Sequence, residues 1–171
     1  MLLSEDFSDI QFEVEGKILK GHRNIITSRS DHFRTLLCDN LRQDRLSRPI
    51  HIDNVTYEGF KALLHYFYTN TIDDDTKGNI VCELIRMGDW YNLDDLKSVG
   101  FMFIESKLCL ENVINLYTSA ITVEPKLENV ENICLKFIAK NFSQLVNRPE
   151  FKKLPQFALV RITQFYAQFQ K

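Results

Sequence analysis

Residues 9–33, DIQFEVEGKILKGHRNIITSRSDHF, decide the fold of this chain. From Ile10 to Val14, apolar and polar residues alternate, as they do in a β-strand that is buried on one face. The next residues predict a tight turn, because Gly16 can adopt the positive φ that such a turn needs. Lys17–Gly21 then predicts a second strand that returns along the first, so this stretch begins as a β-hairpin.

The periodicity becomes helical directly after the hairpin. Ile25 and Ile26 follow His22 at three and four positions, the spacing of one helix face. Ser30 predicts the N-cap of a second helix. The apolar face of that second helix consists of Phe33, Leu36 and Leu37. A hairpin that leads directly into two helices is an uncommon arrangement.

This arrangement resembles the opening of the BTB (POZ) domain family. The matching positions are Asp9, Ile10, Phe12, Val14, Gly16, Leu19, Gly21, His22, Arg23, Ile26, Arg29, Ser30 and Phe33. They occur at the family's spacing and without a gap. The resemblance implies an α+β fold in which a small three-stranded sheet is flanked by helical hairpins. We expect this domain to occupy residues 1–108.

The later elements of the expected domain can also be assigned. A third strand is predicted at 50–52, and helices are predicted at 57–68, at 79–91 and from residue 94 onward. Thr56 predicts the N-cap of the helix at 57–68, and Asn70 suits a left-handed residue at its end. Asp94 is expected to cap the last of these helices.

Residues 109–171 show only helical patterns and follow without a Pro-, Gly- or Ser-rich linker. Helices are predicted at 111–121, at 127–141 and from 157 towards 169, with short pieces at 142–146 and 151–154. The helix at 127–141 is expected to bury Val130, Ile133, Phe137 and Ile138. These residues resemble the start of the BACK domain, which follows the BTB domain in many adaptors. The matching positions are Leu110, Asn112, Val113, Leu116, Tyr117, Ala120, Leu127, Cys134, Phe137, Ile138, Asn141, Phe142, Phe151, Leu154 and Pro155. We expect an all-α, BACK-like extension over residues 109–171.

Composition narrows the classes of function. The chain is 44% hydrophobic and 26% charged, so it can bury a core. Its formal net charge is −2 without a basic tract, so we expect no nucleic-acid partner. No signal peptide or membrane-spanning apolar run is apparent, which predicts a cytoplasmic or nuclear protein with no membrane partner. Isolated and without CxxC spacing, the cysteines are expected to be buried or semi-buried free thiols: Cys38, Cys82, Cys109 and Cys134.

We predict no catalytic, cofactor-binding or metal site, and therefore no enzyme. His32, His51 and His65 lie on three different predicted elements, and no HExxH, GxSxG, P-loop or GxGxxG pattern occurs. The acidic run at 73–75 lacks the glycine and distal glutamate of a calcium-binding loop. His22 is expected to be buried, with a hydrogen bond to the backbone that fixes the turn into the first helix.

The resemblance to the BTB family implies a homodimer. The interface would use Leu3, Phe7, Asp9, Arg23, Ile25 and Ile26. The family places the positions of Asp9 and Arg23 together in a charged pocket at the dimer face. The alternatives are a salt bridge within one subunit, or capping by Asp9 alone. In each case we expect a semi-buried pair, in which loss of one partner costs about 3–5 kcal/mol.

Leu41-Arg42-Gln43 lies in a polar segment that predicts a surface loop. Cullin-binding members of the family carry a hydrophobic residue, any residue and then Glu in this loop, and the hydrophobic residue enters a pocket of the cullin. Gln43 replaces the Glu, which converts a charge-assisted hydrogen bond into a weaker neutral one. Alternatively, Leu41 contacts its own domain. The cullin-binding surface would also include Phe101, Glu105, Asn112 and Tyr117.

The resemblance therefore implies a non-catalytic adaptor. It would dimerise, dock on a cullin scaffold in a ubiquitin-ligase complex, and present a substrate protein through a module that is not in this chain. The alternative is a scaffold or a module that recruits transcriptional corepressors without a cullin. The BACK-like extension favours the first, because in the family such helices widen the cullin contact.

Overall fold

A computed structural model describes residues 7–39 and 48–169. These described residues fall into two compact units, which divide between Gly100 and Phe101. The strands are β1 (Ile10–Val14), β2 (Lys17–Gly21) and β3 (Ile50–His51). The helices of the first half are α1 (Arg23–Arg29), α2 (Asp31–Asp39), α3 (Tyr57–Thr69), α4 (Gly78–Trp90) and α5 (Asp94–Lys107). The later helices are α6 (Val113–Thr122), α7 (Glu128–Lys140), α8 (Phe142–Leu145), α9 (Pro149–Lys152) and α10 (Gln156–Phe169).

The predicted hairpin is confirmed, and it forms two of the three strands of the sheet. The strands lie in the order β2-β1-β3, with β1 and β2 antiparallel. Glu15 and Gly16 make the turn at φ values of 51° and 72°. The third strand is shorter than predicted and runs parallel to β1, with Ile50 opposite Phe12. Ile52 extends this pairing, since its N–H donates to the carbonyl of Glu13 at 3.0 Å.

The core of the first unit is built around Phe33, which is completely buried. Besides the neighbouring His32 imidazole, four phenylalanine and tyrosine rings surround it, and each approaches edge-on, the arrangement that aromatic pairs favour. Their centroid distances are 6.0 Å for Phe12, 6.1 Å for Phe60, 5.7 Å for Phe67 and 4.9 Å for Tyr91. The sheet, α2, α3 and the end of α4 therefore meet at one side chain of the opening motif.

Three of the predicted helix ends are confirmed and one is corrected. The Ser30 hydroxyl accepts from the Phe33 N–H at 3.3 Å, and the Thr56 hydroxyl accepts from the Gly59 N–H at 3.0 Å. Asn70 ends α3 at a φ of 60°, in the left-handed region. Asp94 does not precede α5 as its cap but lies in the first turn, where its carboxylate contacts the Lys97 ammonium at 2.8 Å.

The second unit is a helical assembly in which α7 contacts both α6 and α10. Its buried apolar residues come mainly from α6 and α7: Val113, Ile114, Leu116, Tyr117, Ala120, Ile121, Val130, Cys134, Leu135, Ile138 and Ala139. Ile133 and Phe137 are only half-buried, which corrects the prediction for α7. Phe142 stacks on Tyr166 with the ring centroids 4.4 Å apart, so α10 also packs against α8.

Candidate protein-interaction surfaces

Asp9 and Arg23 connect the hairpin to the first two helices. An Asp9 carboxylate oxygen accepts from the backbone N–H of Arg23 at 2.7 Å, as a cap of α1. The Arg23 guanidinium donates to the carbonyl of Leu37 at 3.1 Å, near the end of α2. Asp9 is exposed, not semi-buried as expected. We therefore revise the cost of losing its carboxylate from about 3–5 kcal/mol to about 1 kcal/mol, the usual value for a helix cap.

The other residues predicted for the dimer interface differ in exposure. Phe7 is 95% exposed, which is unusual for a large apolar side chain. Its φ of 63° is also uncommon for a residue other than glycine. Ile25 is half-buried, whereas Ile26 is completely buried in the core of its own subunit. The Ile26 side chain thus has no surface to offer a partner, which corrects that assignment. Leu3 lies outside the described residues.

His22 joins the start of α1 to the end of α3. Its backbone N–H donates to the Tyr68 hydroxyl at 2.9 Å, and its ring Nδ1 lies 2.7 Å from the same oxygen. Burial raises the pKa of Tyr68, so the hydroxyl stays protonated near neutral pH. His22 is half-buried and not buried as predicted, and one partner of its ring is a tyrosine from a different helix.

The residues predicted to bind a cullin are placed as follows. Leu41, Arg42 and Gln43 lie outside the described residues. On α5, Glu105 is exposed and Phe101 is half-buried, so both can be reached from solvent. The Tyr117 ring is 1% exposed, and burial raises its pKa to about 12. Tyr117 belongs to the core of the second unit, which corrects its assignment as a contact residue.

Asn112 is half-buried and uses its side chain within the connection between α5 and α6 (residues 108–112, the α5–α6 connection). The amide oxygen accepts from the Cys109 N–H at 2.9 Å, and the amide nitrogen donates to the carbonyl of Lys107 at 2.7 Å. The second bond satisfies a carbonyl at the end of α5 that has no partner within the helix. The described geometry therefore gives Asn112 an internal role besides the predicted contact.

Glu83, which the sequence analysis did not identify, is the one buried carboxylate in the described parts of the chain, at 6% exposure. Its oxygens accept from the Thr56 N–H at 2.5 Å and from the Thr56 hydroxyl at 2.7 Å. Gly59 lies against it so closely that a Cβ atom there would overlap the carboxylate. A glutamate surrounded by Val81, Cys82, Leu84 and Ile85 in one helix is the sequence signal that could have identified it. Its role is to hold the start of α3 against α4.

Two grooves open on the first unit. One lies where α1 meets α2, and it is lined by Arg29, Asp31, Arg34, Trp90 and Tyr91 among others. Trp90 is 39% exposed there. The second groove lies beside the hairpin turn and α3, with Lys17, Tyr57, Lys61 and His65 among its lining residues. Both grooves are open and have charged residues of both signs. Such surfaces suit contacts with proteins better than the binding of a small molecule, which usually needs an enclosed, mostly apolar pocket.

The described residues contain no group of His, Cys, Asp and Glu side chains arranged to hold a metal ion. Within the same residues, no helix has both the length and the apolar character that spanning a bilayer requires. Cys82 and Cys134 are buried and Cys109 is half-buried, and none of these three described cysteines forms a disulfide, which confirms the prediction for them. The Cys38 side chain lies outside what the structure describes.

Several known proteins are similar to most of this chain. A family model described as the BTB/POZ domain matches residues 1–108. BTB/POZ domain-containing protein 9 of Drosophila melanogaster is 28% identical over 95% of this chain and 22% of its own length. ARM repeat protein interacting with ABF2, from Arabidopsis thaliana, is 27% identical over 93% of this chain and 22% of its own length. Kelch-like protein 15 of Gallus gallus is 26% identical over 84% of this chain and 29% of its own length.

The chain thus spans less than a third of the length of these three relatives. Among solved structures, the BTB domain of human Gigaxonin aligns with a TM-score of 0.48 and 21% identity, over 57% of this chain and 77% of that one. The family match covers the confirmed hairpin, the helix pair that follows it and the core around Phe33. BTB/POZ domains are protein-interaction modules, which agrees with the open, mixed surfaces of the first unit. The chain belongs to the BTB/POZ domain family.

Proposed function

We propose that this chain is a non-catalytic adaptor that dimerises and docks on a cullin scaffold in a ubiquitin-ligase complex. The observation that carries the proposal is the family match over residues 1–108, together with Leu41-Arg42-Gln43 directly after α2, where cullin-binding members carry their contact motif. The Kelch-like relative among the similar proteins supports the same class. A substrate would be presented by a module outside these 171 residues.

Two sets of residues would contact the cullin. Leu41 with its neighbours is one, because an apolar residue within a charged stretch of sequence suits a pocket on a partner. The second set is Phe101 and Glu105 on α5, with Asn112 at the start of α6. Glu105 is exposed and acidic, so it can take a hydrogen bond from a basic or polar group of the cullin. Residues 109–171 would act as the BACK-like extension that enlarges the contact.

Dimerisation would use the face that carries Phe7, Asp9 and Ile25. Phe7 is exposed, so its burial against the same face of a second copy, in an isologous interface, would be favourable. Light scattering at micromolar concentration should give twice the mass of one chain, and Phe7→Ser should shift the equilibrium towards the monomer. A chain that stays monomeric at every concentration, also with upstream sequence added, contradicts this part of the proposal.

Titration of a purified cullin N-terminal fragment tests the docking. We expect binding by the unmutated chain that Leu41→Asp abolishes, since a charge in an apolar pocket is strongly unfavourable. Gln43→Glu should tighten binding, because it restores the charge-assisted hydrogen bond at the loop. Absence of binding by the unmutated chain, or equal binding by Leu41→Asp, replaces the cullin proposal with the scaffold or corepressor-recruiting alternative.

A further inference from the structure

An arginine that lies 38 residues beyond Leu110 bonds to the α5–α6 connection. Arg148, which precedes α9, donates from Nη1 to the carbonyl of Leu110 at 2.9 Å. Its Nη2 lies 3.6 Å from a carboxylate oxygen of Glu111. A guanidinium can serve two acceptors at once because its donors form a rigid planar fork. One side chain therefore fixes two consecutive residues of the connection.

Asn112 holds the same connection from within. Its amide bridges the Cys109 N–H and the Lys107 carbonyl, so the backbone on both sides of Leu108 is tied to one side chain. The Cys109 thiol also hydrogen-bonds the Glu111 carboxylate, which lowers the pKa of that carboxyl group. Asn112 and Arg148 thus form a clamp. Cys109 bonds to Asn112, and both Leu110 and Glu111 contact Arg148.

We propose that Arg148, with Asn112, is a positioning residue that presets the α5–α6 connection for docking. This inference rests on the proposed function, because the connection lies between Glu105 and the start of α6. A connection without this clamp would sample several conformations, and the partner would have to order it on binding. Fixing it beforehand removes that entropic cost, which is the general benefit of preorganisation.

The chain offers a matched control in Arg161. Its Nε lies 3.2 Å from a carboxylate oxygen of Glu131, so it forms an arginine–glutamate contact in the same unit. It makes no bond to residues 108–112 in the described contacts. Arg148→Met and Arg161→Met therefore remove the same chemical group and one ion pair each, but only the first removes the clamp. Arg148→Lys keeps the charge and loses the fork.

Two readouts separate the clamp from the docking. The first is the rate at which Ellman's reagent modifies Cys109 in the folded chain, assigned by mass spectrometry so that the other cysteines do not interfere. Arg148→Met should increase this rate several-fold, Arg161→Met should leave it unchanged, and Arg148→Lys should fall between. Because Arg148→Lys keeps the positive charge, acceleration in that variant as well reports opening of the connection and not merely loss of a cation.

The second readout is affinity for the cullin fragment at a temperature where all variants are folded by circular dichroism. We expect Arg148→Met to weaken binding roughly tenfold while Arg161→Met stays within about twofold of the unmutated chain. If Arg148→Met does not fold, Arg148→Lys carries both measurements. Unchanged Cys109 reactivity overturns the clamp. Increased reactivity with unchanged affinity overturns its positioning role. Absence of binding by all variants, together with increased reactivity, overturns the proposed function and the positioning role but leaves the clamp established.

Discussion

The two units of this protein bury their cores in different ways. In the first, aromatic rings from β1, from α3 and from the end of α4 converge on Phe33, and the buried Glu83 carboxylate accepts a hydrogen bond at the start of α3. In the second, the core is mainly aliphatic, and α10 leaves Phe157, Val160 and Phe169 between 45% and 58% exposed. In the first unit, capping and turn residues with a recognisable local task define many of the elements. In the second, the helices follow mainly from periodicity, and Asn112 and Arg148 fix the α5–α6 connection.

The largest expected effect tests the aromatic core. Phe33→Ala removes the ring on which four phenylalanine and tyrosine rings converge. We expect it to lower the free energy of unfolding by about 3–5 kcal/mol, the usual cost of a large cavity. Hydrogen exchange should accelerate in β1, α2 and α3. Tyr117→Ala is the matched change in the second unit and should accelerate exchange in α6 and α7. A loss below about 1 kcal/mol for Phe33→Ala would mean that this ring does not organise the core.

The dependence of stability on pH distinguishes the two units, because each buries a tyrosine or cysteine side chain whose pKa is raised. Burial raises the pKa of Tyr117 to about 12 in the folded chain, against an ordinary value of 10.0. The unfolded chain therefore ionises first, and stability should fall as pH rises from 10 towards 12, by about 2–3 kcal/mol in total. Tyr117→Phe should remove that part of the decline.

The first unit supplies the comparison. Burial raises the pKa of Cys82 to about 12 from 9.0, so its contribution to stability is lost from pH 9 upward. Cys82→Ala should remove the decline that starts at this lower pH, and thermal melts followed by circular dichroism measure both. If Tyr117→Phe and the unmutated chain lose stability in parallel above pH 10, the tyrosine is not the group responsible.

An intermediate effect concerns Gly59 and Glu83. Alanine normally stabilises a helix by up to about 1 kcal/mol relative to glycine. At position 59 its Cβ would overlap the Glu83 carboxylate, so we expect Gly59→Ala to destabilise the chain by about 2 kcal/mol. Denaturant unfolding of both single variants and the double variant measures the coupling. In a Glu83→Ala background the same change should become neutral or stabilising. An equal cost in both backgrounds would show that the contact is not the cause.

The smallest effect concerns Asp9. We expect Asp9→Ala to cost about 1 kcal/mol, because one cap of α1 is lost from an exposed position. Asp9→Asn should cost less, since asparagine also caps helices well. Denaturant unfolding at a concentration where the chain is monomeric gives this value, and repeating it with a dimer shows whether assembly adds to it. A cost of several kcal/mol in the monomer would restore the expectation of a semi-buried charged pair.

The sequence predicted the elements of the first unit better than the packing of the second. In the first unit, Gly16, Ser30, Thr56 and Asn70 each satisfy a local backbone requirement that can be recognised without the fold. The parallel pairing of β3 could not be predicted, because two residues carry too little periodicity to fix a direction.

In the second unit, the same α7 face was expected to bury Ile133 and Phe137, but the neighbouring helices cover only part of it. The contact role assigned to Tyr117 and Ile26 failed for a related reason. Helical spacing shows that residues share a face, but whether the face meets the core or solvent depends on packing from distant segments. The bonds of Arg148 to residues 110 and 111 likewise join positions that no local pattern connects.

Hydrogen exchange of the chain with and without a cullin N-terminal fragment tests the central claim most directly. The proposal predicts that binding slows exchange in peptides covering residues 40–47 and 101–112, while peptides from α10 and from the groove beside Trp90 stay unchanged. Protection confined to the groove or to α10, or no protection at saturating fragment, would contradict docking through the surface proposed for this protein.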